Sequence, residues 1–340
     1  MMDNEGIQVR EARHCLLCEA EGELLYRGLR DRLCGAVGSW SLMHCPKCQL
    51  VWLNPHPIPD DIGKLYSQYF THQATDVKRG MLAGIRRFAK ASVLQHGFGY
   101  RMKGSSSLLG SLLGRIGPIE DMVGGDVRYL KAGESGRLLD VGCGNGEYMD
   151  RMRQLGWDVV GVEPDGRAVS VAREGLGLEV FEGTLEGAKF PHDYFNAITM
   201  NHVIEHACDP IGLLKECRRI LKPGGKLVVI TPNIQSLGQR MFKDAWLHWD
   251  PPRHLFLLAL HSLRLCSVRS GLDVQDLRTT AKGARWIWVT SSLIKWDGIL
   301  VNSSAKGPGL SLRLKGLLFQ VVELVYPSDA GEEIVLIATK

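Results

Sequence analysis

"RLLDVGCGNGEYM", residues 137–149, is an apolar run closed by Asp140, followed by glycine at 142, 144 and 146 and then by Glu147 at the start of a helical pattern. An apolar run ended by glycines reads as a buried strand feeding a helix through a tight turn. Glycine at alternate positions keeps side chains away where the backbone must turn sharply or be touched by a ligand. The helix start beyond it offers unpaired amides and the positive end of a dipole. In an open parallel sheet such a turn lies at the carboxyl ends of the strands, where ligands bind.

Working outward, apolar runs alternate with helical patterns. Strands are expected at 157–164, 178–183, 195–200, 226–233 and 272–279, with a closing strand at 332–340. Helices are expected at 147–155, 166–174, 211–221, 262–271, 284–301 and 310–326. This alternation predicts βαβ units and a parallel sheet. Residues 62–132 read as helices broken by Gly and Ser, including "KRGMLAGIRRFAK", where Lys78, Arg79, Arg86, Arg87 and Lys90 give a basic face. That face suits either a solvated helix surface or an anionic membrane surface.

The glycine spacing separates two cofactor classes. A dinucleotide fingerprint is G-x-G-x-x-G, whereas this turn is G-x-G-x-G followed by Glu147. A carboxylate there opposes a pyrophosphate but suits a cofactor with an ammonium nearby, and S-adenosylmethionine carries one. Glu163, closing the second strand, can accept bonds from both ribose hydroxyls.

Four cysteines fall in two pairs, Cys15/Cys18 and Cys45/Cys48, and five more are scattered singly. Two C-x-x-C pairs suit a tetrahedral structural Zn2+ site. Residues 19–44 between the pairs exceed the common ribbon spacing, so an inserted hairpin is expected from "ELLYRGLRDRL" and "WSLMHCPKCQLVWL". An odd number of cysteines, nine in all, argues against a disulfide framework and for a reducing compartment. With no signal peptide pattern at the N-terminus, the expected location is the cytoplasm. A net charge of +4 is too small for a dedicated nucleic-acid binder. The zinc segment mixes Arg27, Arg30 and Arg32 with Glu19, Glu21, Glu23 and Asp31, which also argues against an RNA-binding face.

"LLDVGCGNGEYM", "VVGVEPD", "NHVIEHACDPIGLLKECRRILKPGGKLVVITPN" and "DAWLHWDPPRHLFLLALHSLRLCSVRSGLDV" resemble, in order and spacing, class I S-adenosylmethionine-dependent methyltransferases. The similarity is to a subgroup with an N-terminal zinc-binding segment, met in bacterial surface-glycan biosynthesis. The resemblance implies an α/β, Rossmann-like seven-stranded sheet with its last strand antiparallel. It implies a zinc-ribbon-like segment at 1–60, a helical linker or cap at 61–132, and a methyltransferase domain at 133–340 with a helical insertion at 284–326. It implies that Asp140, Gly142, Gly144 and Gly146 hold the methionine end of the cofactor and that Glu163 and Pro164 meet the ribose. Thr184 and Leu185 would flank the adenine, and Asn201 and His202 would stand at the methyl-transfer mouth. Thr184 replaces an Asp frequent in the family, which leaves a backbone contact to the adenine. Asn196 replaces another Asp, with consequences for packing.

Methyl transfer to a hydroxyl needs alignment and a proton acceptor. Histidine titrates near neutrality, and His202, His206, His248 and His254 crowd the expected mouth. His254 is the first candidate base and His206 the second. His202 is expected to shape the pocket, and in similar proteins Glu205 and His206 cap a loop. Trp246, Trp249 and Arg253 read either as a substrate wall or as a structural loop with Trp246 in the core. The expected reaction is O-methylation of a sugar hydroxyl on a glycan or its lipid- or nucleotide-linked precursor, with peripheral contact at the inner membrane. The alternatives are a small-molecule acceptor, such as a quinol or secondary metabolite, C-methylation of a sugar, and an RNA- or protein-modifying zinc-ribbon protein; a metal-assisted variant would have His and Glu hold a divalent ion against a sugar diol.

Overall fold

A computed structural model describes residues 2–66, 81–298, 310–325 and 329–340. Chain contacts divide it into two compact units, one of residues 1–69, 202–215 and 229–337 and the other of residues 70–201, 216–228 and 338–340. The expected cuts near residues 60 and 132 are linear, whereas these units interleave along the chain.

The first unit begins with six short strands: β1 (Met2–Asn4), β2 (Ile7–Arg10), β3 (Glu23–Leu29), β4 (Trp40–His44), β5 (Val51–Asn54) and β6 (His56–Pro57). The expected hairpin is β3 paired antiparallel with β4, and β4 continues antiparallel into β5. A separate sheet β1-β2-β6 was not expected from the sequence.

In the second unit come three helices, α1 (Met81–Phe98), α2 (Ser107–Gly114) and α3 (Gly117–Gly124). Gly110 lets α2 approach α1: a Cβ there would lie 2.1 Å from the Ser92 carbonyl oxygen. This helical region is anchored into the same unit as the glycine turn. Trp157 Nε1 donates to the Tyr100 hydroxyl at 3.0 Å, and Tyr100 donates to the Leu130 carbonyl at 3.1 Å. Of the basic face, Lys90 pairs with Asp126 at 2.6 Å, while Lys78 and Arg79 lie outside the described residues.

The alternating region then supplies β7 (Arg137–Val141), α4 (Glu147–Gln154), β8 (Asp158–Glu163), α5 (Gly166–Ser170), β9 (Glu179–Glu182), β10 (Phe195–Asn201), α6 (Pro210–Ile220), β11 (Leu221–Pro232), α7 (Leu237–Phe242), β12 (Phe256–Leu257), α8 (Leu260–Arg269), β13 (Asp273–Thr280), α9 (Ala284–Asp297), α10 (Leu310–Val325) and β14 (Glu333–Thr339). Seven of these strands form one sheet in the order β13-β14-β11-β10-β7-β8-β9. Strands β10, β7, β8 and β9 are parallel neighbours. Gly224 donates to Lys340 and Asn233 donates to Glu332, so β14 runs antiparallel to β11, as the resemblance implied. The strands are buried along most of their length, as Leu138, Leu139, Val160, Val162, Ile198, Met200, Val228 and Val229 show. That is the pattern of a sheet covered on both faces. Among the described residues, no helix is long and apolar enough to cross a membrane.

The short strand β12 pairs antiparallel with β5, Phe256 opposite Trp52. It extends the cysteine-bearing sheet with a segment some two hundred residues later in the chain. Beside it Arg253 is wholly buried. Its guanidinium meets Asp31 at 2.6 and 2.9 Å and also pairs with Asp250. Asp31 in turn accepts backbone amides of Leu33, Cys34 and Ala36. Replacing one member of such a buried group strands the others without a partner, at a cost of about 3–5 kcal/mol. Arg253→Ala is therefore expected to lower stability by about that amount, read from the midpoint of chemical denaturation. A midpoint unchanged from the wild type would contradict this packing.

Candidate functional site

The glycine turn joins β7 to α4. Gly142, Gly144 and Gly146 all have positive φ, of 68°, 56° and 81°. Gly146 is required twice over, since an added Cβ would also sit 2.5 Å from Leu178. At this position glycine serves the packing of the turn. The Glu163 carboxylate braces the turn from the end of β8. It accepts the Gly144 amide at 2.9 Å and the Asp165 amide at 3.0 Å.

Asp140 is fully buried at the end of β7. One oxygen pairs with Arg128 and accepts the Thr199 hydroxyl at 2.8 Å. The other, Oδ2, is buried with no hydrogen-bond partner among the described residues. Burial raises the Asp140 pKa, against the opposing effect of Arg128. The Arg128 guanidinium also lies 3.6 Å from the centre of the Tyr148 ring, and the Tyr148 hydroxyl is likewise buried without a partner. Sequence reasoning missed Arg128, which it placed in the helical linker. Its φ of 47° is uncommon for a non-glycine residue, and no motif marks it.

The remaining expected cofactor residues are placed as follows. Pro164 is exposed and follows Glu163. The Thr184 hydroxyl accepts the Gly187 amide at 3.2 Å, and Leu185 is buried. Asn201 ends β10 and is half-buried.

The histidines occupy the first unit. His202, with φ 55°, is clamped between two carboxylates: Nδ1 lies 3.1 Å from Glu205 and Nε2 2.6 Å from Glu333. Burial alone would lower its pKa, but the hydrogen bonds and charges of Glu205 and Glu333 outweigh that and push it up to about 10. A carboxylate at each ring nitrogen favours the imidazolium form, in which both nitrogens donate. In this position His202 braces Glu205, in keeping with the expectation that it shapes the pocket. Glu205 is wholly buried, and despite that burial its bond to His202 pulls it down to about 2. Its other oxygen accepts the Thr231 hydroxyl at 2.9 Å.

His206 Nδ1 lies 3.0 Å from the Arg253 carbonyl and 2.9 Å from the Tyr66 hydroxyl. His254 Nδ1 lies 2.6 Å from the His248 carbonyl. A carbonyl only accepts, so at His254 Nδ1 carries the proton and Nε2 the lone pair; at His206 the Arg253 carbonyl favours the same tautomer, with the Tyr66 hydroxyl as a second neighbour of Nδ1. The rings meet edge to face, 4.7 Å apart. Burial lowers both pKa values to about 4, aided at His206 by its neighbour His254, so both imidazoles are neutral near pH 7.

Trp246, Trp249 and Arg253 form no exposed wall: all three are buried. Trp246 Nε1 donates to Glu332 at 2.9 Å and Trp249 Nε1 to the Lys243 carbonyl at 2.6 Å. With Arg253 held by Asp31 and Asp250, the polar atoms of the trio are committed to the interior. This matches the structural-loop alternative, with Trp246 in the core.

The four paired cysteines converge. Their Sγ atoms all lie within 4.8 Å of one another. Cys15 and Cys48 are 3.3 Å apart, as are Cys18 and Cys45, too far for the disulfide bond length of about 2.05 Å. The two pairs share one backbone design. Cys15 and Cys45 donate to Ala20 and Leu50, and accept from Glu19 and Gln49. Glu19 and Gln49 both turn through positive φ, 58° and 63°. The Leu17 and Cys48 amides donate to Sγ of Cys15 and Cys45. Four converging thiols with amide donors to sulfur fit a tetrahedral thiolate metal site.

Residues 125–277 match a family model described as a methyltransferase domain. This stretch is a methyltransferase domain. The sheet, numbered by chain order within itself, runs 3-2-1-4-5-7-6, with the matched residues covering its first five strands and most of the sixth. Two relatives are named ubiquinone biosynthesis O-methyltransferase. The one from Cereibacter sphaeroides (strain ATCC 17025 / ATH 2.4.3) is 39% identical over 123 residues, 34% of this chain and 50% of its own. The one from Chelativorans sp. (strain BNC1) is 32% identical over 149 residues, 40% of this chain and 59% of its own. The chain thus spans about half the length of the curated relatives it matches. Among solved structures, the [4+2]-cyclase SpnF is 17% identical with a TM-score of 0.48, covering 84% of this chain and 98% of its own. An S-adenosylmethionine-dependent methyltransferase from Archaeoglobus fulgidus is 18% identical with a TM-score of 0.42, covering 61% and 86%.

The methyltransferase fold supports S-adenosylmethionine as cofactor, and the residues fit it. The unpaired, buried Oδ2 of Asp140 is an acceptor for an ammonium, and Glu163 is an acceptor for ribose hydroxyls. The cysteine site gives a separate expectation. Cys48→Ala, or a strong chelator, should remove one bound metal ion per chain and lower the melting temperature by on the order of 10 °C. Metal analysis and thermal denaturation check this, and a metal-free protein melting like the wild type would contradict it.

Proposed function

We propose that the protein is an S-adenosylmethionine-dependent O-methyltransferase acting on a small-molecule hydroxyl of the quinol or catechol type. The observation that carries the methyltransferase reading is that Asp140, the Gly142–Gly146 turn and Glu163 fall inside the matched methyltransferase domain with the acceptor carboxylates this cofactor needs. The acceptor class rests on the relatives named for ubiquinone biosynthesis. They favour the small-molecule alternative over the surface-glycan acceptor suggested by the sequence.

When bound, S-adenosylmethionine supplies a methyl group already activated on a sulfonium. The chain must hold the cofactor and the acceptor and receive the hydroxyl proton. Asp140 would anchor the ammonium, Glu163 the ribose, and the segment of Thr184 and Leu185 the adenine. Glu205, His206 and His254 are assigned to activating the acceptor hydroxyl. Each imidazole has its Nδ1 proton fixed on a carbonyl and its Nε2 lone pair available. The four cysteines would hold a structural zinc ion that stiffens the β3-β4-β5 sheet.

The test supplies methyl-labelled S-adenosylmethionine with a prenylated catechol or with nucleotide-linked hexoses. Label is expected in the catechol methyl ether. Replacing His254 by Ala should lower turnover by 10²-fold or more, in line with about 10²–10⁴ for loss of proton-transfer catalysis, while leaving cofactor affinity intact. Label only in the sugars would contradict the acceptor class, and near wild-type turnover of His254→Ala would contradict the role of the histidine.

A further inference from the structure

The geometry points to a second metal site, distinct from the cysteine quartet: we propose that Glu205, His206 and His254 hold one divalent first-row transition-metal ion. One ligand atom from each lies within 4.8 Å of the other two. Two imidazoles and a carboxylate form a known ligand set for such ions that leaves coordination positions open.

A second observation comes from the groups behind the ligands. A metal-binding histidine characteristically donates its other ring N–H to a carbonyl or carboxylate, and ligating carboxylates are themselves hydrogen-bonded. All three residues meet that description. His206 Nδ1 faces the Arg253 carbonyl at 3.0 Å and His254 Nδ1 faces the His248 carbonyl at 2.6 Å, which leaves Nε2 as the ligating nitrogen; that of His254 also lies 4.0 Å from an Asp250 oxygen. The Glu205 oxygens are oriented by His202 at 3.1 Å and by Thr231 at 2.9 Å, each with a further lone pair to give. The cysteine quartet offers sulfur to soft, tetrahedral ions, whereas this site offers nitrogen and oxygen, so the two sites differ in the metals they select.

Metal binding here does not depend on the methyltransferase reading, but its purpose does. A divalent ion with open positions binds a hydroxyl, or two neighbouring hydroxyls, and lowers their pKa. With the metal bound, His206 and His254 would serve as its ligands in place of accepting the proton themselves, and the ion would give a catechol or diol acceptor its alkoxide character.

The test uses the full, zinc-loaded chain and no cofactor, so its outcome is separate from methyl transfer. Mn2+ is titrated in and the unbound ion is followed by its electron paramagnetic resonance signal. In parallel Co2+ is titrated in and followed by its visible spectrum. One equivalent of Mn2+ or Co2+ should bind, and the Co2+ should show ligand-field bands without sulfur charge-transfer bands. Glu205→Gln and His254→Gln should each weaken binding by about tenfold or more, with circular dichroism and cysteine-bound zinc unchanged. Should either variant fail to fold, the wild-type Co2+ spectrum decides by its sulfur bands. Binding of neither ion, binding with cysteine-type bands only, or binding unaltered in both folded variants would overturn the proposal.

Discussion

The first unit is organised around one wholly buried cation. Arg253 sits between Asp31 and Asp250, both of them buried. Burying three charges is costly, and only near-complete pairing offsets that cost. The geometry meets the requirement: both carboxylates are engaged, and Asp31 is further held by three backbone amides. The consequence is positional. Asp31 belongs to the loop between β3 and β4, and Arg253 precedes His254. The ion pair, together with the β5–β12 pairing, fixes where the histidine loop runs. The Arg253 carbonyl then sets the tautomer of His206, and the Leu255 amide donates to the Glu205 carbonyl. The cysteine-rich segment is therefore structurally upstream of the histidine cluster, although it contributes no side chain to the three proposed ligands.

Much of this was legible in the sequence because it is local. Strands β7, β8, β10 and β14 announce themselves as apolar runs, Gly271 ends α8 at positive φ, and the two C-x-x-C pairs imply convergence from spacing alone. What escaped reading is non-local or contrary to type. Asp31 reads as one more surface charge in a mixed segment, and its partner lies 222 residues away. Strand β12 has two residues, too few to show a period. Arg253 and Trp249 read as a substrate wall because Arg and Trp are common there. Only the structure shows their polar atoms already engaged. Arg128 escaped because a non-glycine residue at positive φ carries no sequence signature. Glu333, which charges His202, reads simply as the start of the last strand.

The cofactor turn in the second unit is held by a different logic. Its glycines have conformations that other residues rarely adopt, and the Glu163 carboxylate ties the turn to the end of β8. Asp140 is kept in a buried place with one oxygen satisfied and one left over. An unsatisfied buried acceptor is uncommon in a folded protein and is costly unless a ligand supplies the donor. This is the physical content of the claim that the site awaits a cation.

Isothermal titration of S-adenosylmethionine into the folded, zinc-loaded protein tests that claim most directly. One cofactor per chain should bind, and Asp140→Asn, which turns the acceptor pair into an amide, should weaken it by about tenfold or more. No heat with S-adenosylmethionine or its demethylated product, in a protein shown to be folded, would contradict the account.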